Sequence, residues 1–174
     1  YIHDGPPHQS NYSYSFAKRL IEPAIKAYRT EYGVSCIGLV ANGIFGEHAN
    51  YRPAESVMVA ALIRRFFEHR GSSDPIVIWG DGSPLREYTY SRDLARAFMW
   101  CLDHYDDVQI LNVGSTEENS VRDTAMMIAD AMGIDRARIV FDTTKPAGVF
   151  RKATDNGRFV GLSGFTYTPF RVGL

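Results

Sequence analysis

Cysteine is scarce in this sequence, and neither sign of charge dominates it. Only Cys36 and Cys101 occur in 174 residues. They lie far apart, each inside an apolar run, which argues for buried free thiols and against a disulfide framework or a thiolate metal site. Such usage suits a reducing cytoplasm. No apolar stretch reaches the roughly 20 residues that span a bilayer, so no membrane span is expected. The 19 basic and 20 acidic side chains leave a formal net charge of −1. Without a concentrated basic surface, general nucleic-acid binding is not expected. His3, His8, His69 and His104 are scattered, and His48 has no second ligand at useful spacing, so no metal centre is expected. Internal repeats and low-complexity linkers are absent as well, and the chain opens at Tyr1 without an initiator methionine.

What is present reads as an ordinary globular chain, 45% apolar and 22% charged. It is long enough for one domain with a real core, or for pieces of two. After a loop containing Gly5-Pro6-Pro7, the four-residue recurrence of Tyr12, Phe16, Leu20, Ala24, Tyr28 and Tyr32 predicts a helix stopped at Gly33. Pro23 lies inside it, where it removes a backbone hydrogen bond and predicts a kink. Ser35 to Val40 reads as a buried strand and Asn42-Gly43-Ile44-Phe45-Gly46 as a glycine-rich loop. A helix is expected over Glu55 to His69, then strands over Pro75 to Trp79 and Arg86 to Tyr90, with a turn between them. Ser91 is the expected N-cap of a helix through His104, with Asp93 in its first turn. A strand over Gln109 to Val113 follows. Ser120-Val121-Arg122-Asp123 resembles a capping box opening a helix that Gly133 ends, and Arg138 to Phe141 is a last strand. Helices and strands alternate, so the fold class is α/β.

Tyr14 and Lys18 stand four residues apart on the first predicted helix, hence on one face and one turn apart. A phenol beside an ammonium gives up its proton more readily than a phenol in water. Such a pair can protonate a ketone oxygen while hydride reaches the carbon, and then recover the proton from solvent. The spacing alone does not single this out, because an exposed lysine following an aromatic helix face has the same pattern.

The wider text is more specific. Pro6-Pro7-His8-Gln9-Ser10-Asn11-Tyr12-Ser13-Tyr14-Ser15-Phe16-Ala17-Lys18-Arg19 resembles the corresponding segment of GDP-L-fucose synthases. These are extended short-chain dehydrogenase/reductases that epimerise and reduce GDP-4-keto-6-deoxymannose. The likeness continues through Gly46 to Tyr51, Trp79 to Tyr88, Phe141 to Gly148 and Arg151-Lys152. The resemblance implies Tyr14 as proton donor and Lys18 as its modulator, both also binding the cofactor, Lys18 through its ribose. It implies that Ala41, Asn42, Gly43 and Ile44 pass the nicotinamide of NADPH. It further implies that Arg65, Trp79, Arg86 and Lys152 hold a GDP-sugar, the arginines suiting a diphosphate through their forked donors. His48 and Asn50 are read as loop-shaping residues, and Arg86 beside Glu87 also fits a surface ion pair.

Three positions depart from the family pattern. Val57 stands where the family has a histidine acid, Gly43 where it has an asparagine, and Ala147 where an aspartate contacts substrate. The family's phosphate-cradling glycine turn, its serine and its epimerase cysteine do not occur in the chain, so most of the NADPH site is expected upstream of Tyr1. The expected organisation is the C-terminal part of a Rossmann-type doubly wound parallel sheet plus a smaller α/β substrate-binding domain. Residues 1–52 are the remainder of the dinucleotide-binding domain. Residues 53–174 are mainly the substrate-binding domain, with about 91–113 returning to the Rossmann sheet. The implied function is NADPH-dependent C4 reduction of a GDP-4-keto-6-deoxy-hexose with C3/C5 epimerase capability reduced or lost, in a cytoplasmic homodimer. The alternatives are full GDP-L-fucose synthase activity, or a non-catalytic partner subunit.

Overall fold

The structure is a computed structural model that describes residues 3–7, 9–53 and 55–174. His8, part of the motif above, lies outside the described residues. The predicted first helix forms as two, α1 (Tyr12–Arg19) and α2 (Ile21–Tyr32). The break has a clear cause. Pro23 has no N–H to offer the Arg19 carbonyl, and its ring crowds that carbonyl. Helical bonding resumes with Ala24 N–H donating to Leu20 O at 3.0 Å. Gly33 ends α2 in the left-handed conformation at φ 62°, which glycine adopts without penalty.

The strands β1 (Leu39–Val40) and β2 (Gly43–Phe45) follow. Two expectations are corrected here. The strand foreseen over Ser35–Val40 is paired only at its last two residues, and the foreseen glycine-rich loop is largely strand. The remaining elements are α3 (Met58–His69), β3 (Ile76–Trp79), β4 (Leu85–Tyr90), α4 (Ser91–His104), β5 (Leu111–Asn112) and β6 (Glu118–Ser120). They are followed by α5 (Val121–Met132), β7 (Ile139–Asp142), α6 (Gly157–Ser163) and α7 (Phe170–Gly173).

β1 pairs in parallel with β5, β2 with β4, and β3 with β7, while β6 runs antiparallel to β4. The expected α/β class with parallel pairing is therefore what forms. Each parallel pair is separated in sequence by at least one helix, as parallel crossovers require.

Three apolar clusters hold these layers. Leu94, Ala97, Cys101, Leu111, Val113 and Phe159 join α4, β5 and α6, with Leu39 and Ala41 packed against them. Leu62, Phe66, Ile76, Ile78, Ala125 and Ile128 join α3, β3 and α5. Phe45, Val59, Tyr88 and Phe170 form the third, joining β2, α3, β4 and α7, and share Met58 and Ile63 with the second.

Polar tethers fix the ends. Ser120 Oγ accepts from Asp123 N at 2.9 Å, so α5 is capped as the sequence suggests. Ser91 is not a cap: it is the first helical residue, and Tyr90 takes the cap position with no side-chain hydrogen bond. Asp93 does more than complement a helix dipole. It is 2% exposed and accepts from Thr168 N at 2.5 Å and from Arg96 at 3.1 Å, tying the C-terminal segment to α4.

Candidate active site

Gly38 decides where α1 and α2 sit. A Cβ built there would fall 2.5 Å from Ile110 Cγ2 and 2.8 Å from Ile25 Cδ1, distances that only hydrogen permits. Ile25, the one buried residue of α2, can therefore lie directly against the β1 strand. Arg29 reinforces the contact, with Nη1 2.5 Å from Asp106 Oδ1 and 3.1 Å from the Cys36 carbonyl. The Arg29 hydrogen bond, helped by Ser35, holds the Asp106 carboxyl below the usual carboxylate range.

This docking brings α1 over the end of β1. Tyr14, Ser15, Lys18, Arg19, Leu39 and Ala41 line one open cleft of about 440 Å3. The Lys18 ammonium lies 5.5 Å from the centre of the Tyr14 ring, so the two share one surface as their spacing predicts. Tyr14 is 64% exposed, leaving its hydroxyl open to a reactant. The cleft residues missed from sequence include Leu39, Val40 and Ile110. Their only signals were the two predicted strands, Ser35 to Val40 and Gln109 to Val113.

Of the segment expected beside a cofactor, Ala41 lines this cleft. Asn42 points its amide away into a packed network. Its Nδ2 donates to the Ser115 carbonyl at 2.6 Å and to Glu87 Oε2 at 3.2 Å, while its Oδ1 accepts from Thr89 Oγ1 at 2.6 Å. Asn42 is thus an anchor, and the segment meets a neighbour through backbone and through the exposed Ile44. Gly43 pairs with Tyr88 across β2 and β4, where an added Cβ would come within 2.9 Å of the Tyr88 ring. That contact accounts for glycine at this position.

The residues expected to hold a nucleotide sugar lie on α3, β3, β4 and the segment after β7. Val77 and Trp79 project from the same face of β3, Trp79 being 61% exposed. Arg65, half-buried on α3, donates from Nη1 to the Val77 carbonyl. A Cβ on Gly80 would fall 2.8 Å from the Ala147 Cα, and one on Gly148 would fall 3.7 Å from Arg86 Nη2. Arg86 also donates to the Leu85 carbonyl at 2.6 Å and to that of Phe150 at 3.4 Å. Lys152 is exposed in the next turn of chain, beside Arg151, which forms a double bridge to Glu118 at 2.6 and 2.8 Å. Those bonds hold the Glu118 carboxyl below its ordinary range.

Glu87 departs from its reading as a surface partner of Arg86. It is 5% exposed and accepts from Asn42 and from Thr154 N at 3.1 Å. Glu87 opens the part of β4 that is covered on both faces, Glu87, Tyr88 and Thr89 all being buried, whereas Arg86 one residue earlier is only half-buried.

His48 has φ 67°, and Asn50 Oδ1 accepts from Arg52 N at 3.0 Å, both in keeping with loop shaping. Among the described residues no group of three or more histidine, cysteine or acidic side chains is placed to hold a metal. Likewise, no described helix is long and apolar enough to cross a membrane.

Tyr14 and Lys18 thus stand on one helix beside the end of a parallel strand in an α/β fold, and the chain belongs to the NAD dependent epimerase/dehydratase family, whose model matches residues 1–114. More narrowly, it is similar to GDP-L-fucose synthases. It is 36% identical to that of Dictyostelium discoideum, over 99% of this chain and 55% of the relative. The enzyme of Escherichia coli (strain K12) is 30% identical over 95% of this chain and 54% of the relative. A crystal structure of a GDP-L-fucose synthetase from Naegleria fowleri bound to NADP superposes with a TM-score of 0.89. That structure is 31% identical, over 98% of this chain and 56% of its own. The likeness establishes a Rossmann-like fold. The chain spans about half the length of the curated relatives it matches.

Proposed function

We propose that these residues form the proton-delivering flank of an NADPH-dependent reductase acting at C4 of a GDP-4-keto-6-deoxy-hexose, with C3/C5 epimerase capability reduced or lost. The observation that carries this reading is the placement of Tyr14 and Lys18 in one open cleft with Leu39 and Ala41. The residues fit one side of a dinucleotide: a lysine donor for a ribose hydroxyl, an exposed phenol, and strand backbone for a flat ring to lie against. NADPH bound there supplies the hydride. Tyr14 delivers the phenolic proton to the C4 oxygen and regains one from solvent. Lys18 stabilises the deprotonated phenol and positions the ribose. Arg65, Trp79, Arg86 and Lys152 bind the nucleotide, with the arginines on the diphosphate.

The proposed organisation assigns 1–52 and about 91–113 to the dinucleotide-binding domain and the rest of 53–174 mainly to a substrate-binding domain. Pairing of β1 with β5 supports joining the first two stretches. Packing of Phe159 with the α4–β5 cluster argues that α6 sides with them too. A homodimer is supported by α1 and α2, where Tyr12, Phe16, Leu20, Tyr28 and Tyr32 are all exposed outside the cleft. Sedimentation of the complete gene product tests it. A cytoplasmic setting is in keeping with two free cysteines.

Full GDP-L-fucose synthase activity is the second reading, favoured by the relatives' names at 30–36% identity. Val57, exposed at the N-cap of α3, cannot act as an acid, and this favours the first. The complete gene product, given NADPH and GDP-4-keto-6-deoxymannose in deuterium oxide, separates them. The first reading expects cofactor oxidation with little deuterium entering C3 and C5; rapid exchange at both carbons supports the second. Absence of cofactor oxidation counts against both.

A further inference from the structure

Two segments serve the proposed reaction from opposite sides of one buried carboxylate. On one side runs Ala41–Ile44, beside the Tyr14 cleft. On the other runs the stretch carrying Lys152, pinned at Phe150, whose carbonyl accepts from Leu85 N at 2.7 Å, and at Thr154. Glu87 touches both directly: Oε2 accepts from Asn42 Nδ2 at 3.2 Å and Oε1 accepts from Thr154 N at 3.1 Å. Its own strand neighbour is Arg86.

The chemistry leaves this hub few alternatives. Both partners are donors, so the site needs two acceptor oxygens, which only a carboxylate offers. The Asn42 amide cannot reverse, because the Ser115 carbonyl accepts only and must face Nδ2. Thr89 locks the orientation, donating to Asn42 Oδ1 at 2.6 Å and accepting from Ser115 N at 2.8 Å. A shift of the Lys152 segment on binding a nucleotide therefore reaches Asn42 through two hydrogen bonds.

We propose that Glu87 is a positioning residue whose buried carboxylate couples cofactor binding to nucleotide-sugar binding. The inference rests on the functional reading above. It takes no part in proton transfer and touches neither ligand; it sets one binding segment by the state of the other. By linkage the effect is reciprocal between the two ligands.

Calorimetric titration of the complete gene product tests it, with NADP+ as one probe and GDP as the other. In the wild type, saturating GDP should tighten NADP+ by about fivefold or more. Glu87→Gln keeps the shape but puts a donor against a donor, so each ligand should still bind alone while the ratio of affinities falls to about one. A purely structural role would lower the melting temperature or weaken both ligands and leave the ratio intact. Thr89→Val serves if Glu87→Gln fails to fold. It removes the donor to Asn42 Oδ1 and so loosens the Asn42 side of the relay without touching the Thr154 contact, and should lower the ratio while GDP alone binds as before. A ratio unchanged in these variants, or near one in the wild type with both ligands bound, overturns the coupling and spares the functional reading. A wild type that binds neither ligand overturns both.

Discussion

Gly43→Ala should destabilise the protein, although alanine is the better strand residue. Relieving the backbone entropy of a strand glycine gains about 0.5–1 kcal/mol. Against this, the new methyl would sit 2.9 Å from Tyr88 Cδ1 and 3.1 Å from the Glu87 carbonyl. The ring cannot easily withdraw. Tyr88 is buried among Phe45, Val59 and Phe170, its ring centre 5.4 Å from that of Phe170 and its hydroxyl 3.5 Å from Met58 Sδ. Overpacking of this kind costs about 1–3 kcal/mol, so the net expectation is a loss of about 1 kcal/mol. For a chain of this size that lowers the melting temperature by about 2–4 °C. Urea unfolding of Gly43→Ala, Tyr88→Val and the double variant isolates the contact. In the Tyr88→Val background the ring edge is gone, and Gly43→Ala should become neutral or stabilising. A Gly43→Ala protein as stable as the parent, or an identical effect in both backgrounds, would refute the steric explanation.

Other expectations follow from the same packing. Cys101 is fully buried and burial pushes its thiol up to about 11, so iodoacetamide at mildly alkaline pH should label the partly exposed Cys36 and spare it. Equal labelling, read by mass spectrometry under native conditions, would contradict the α4 packing. The Glu118–Arg151 bridge should be pH-dependent in a definite sense. Its folded carboxyl value is depressed, so its contribution is complete above the ordinary glutamate value of about 4.3 and is lost as pH falls through the folded value. A double-mutant cycle of Glu118→Gln and Arg151→Ala should show coupling at neutral pH that vanishes in acid; coupling that persists in acid would refute an ionic origin.

Local signals carried much of the fold. Pro23 foretold the break between α1 and α2, Gly33 and Ser120 marked helix ends, and hydrophobic runs located β3, β4 and β7 to within a residue or two. Short polar strands were invisible. β6 is Glu-Asn-Ser, which owes its strand character to pairing with Leu85, Arg86 and Glu87 rather than to propensity. α6 and α7 likewise depend on Phe159 and Phe170 finding clusters formed by distant elements. The Tyr14–Lys18 pair was legible because four residues on a helix fix a geometry. The packing roles of Glu87 and Asn42 were not, since they bond each other, Thr154, Ser115 and Thr89, and no local pattern records contacts across 45 to 73 residues.

Reduction by the complete gene product and by its Tyr14→Phe variant tests the proposed chemistry most directly. The lost hydroxyl is exposed, so folding and the affinity for GDP should be unchanged. Consumption of NADPH with GDP-4-keto-6-deoxymannose should fall by about 10²–10⁴-fold. A Tyr14→Phe protein that reduces the sugar at the parental rate would contradict the assignment of Tyr14 as proton donor.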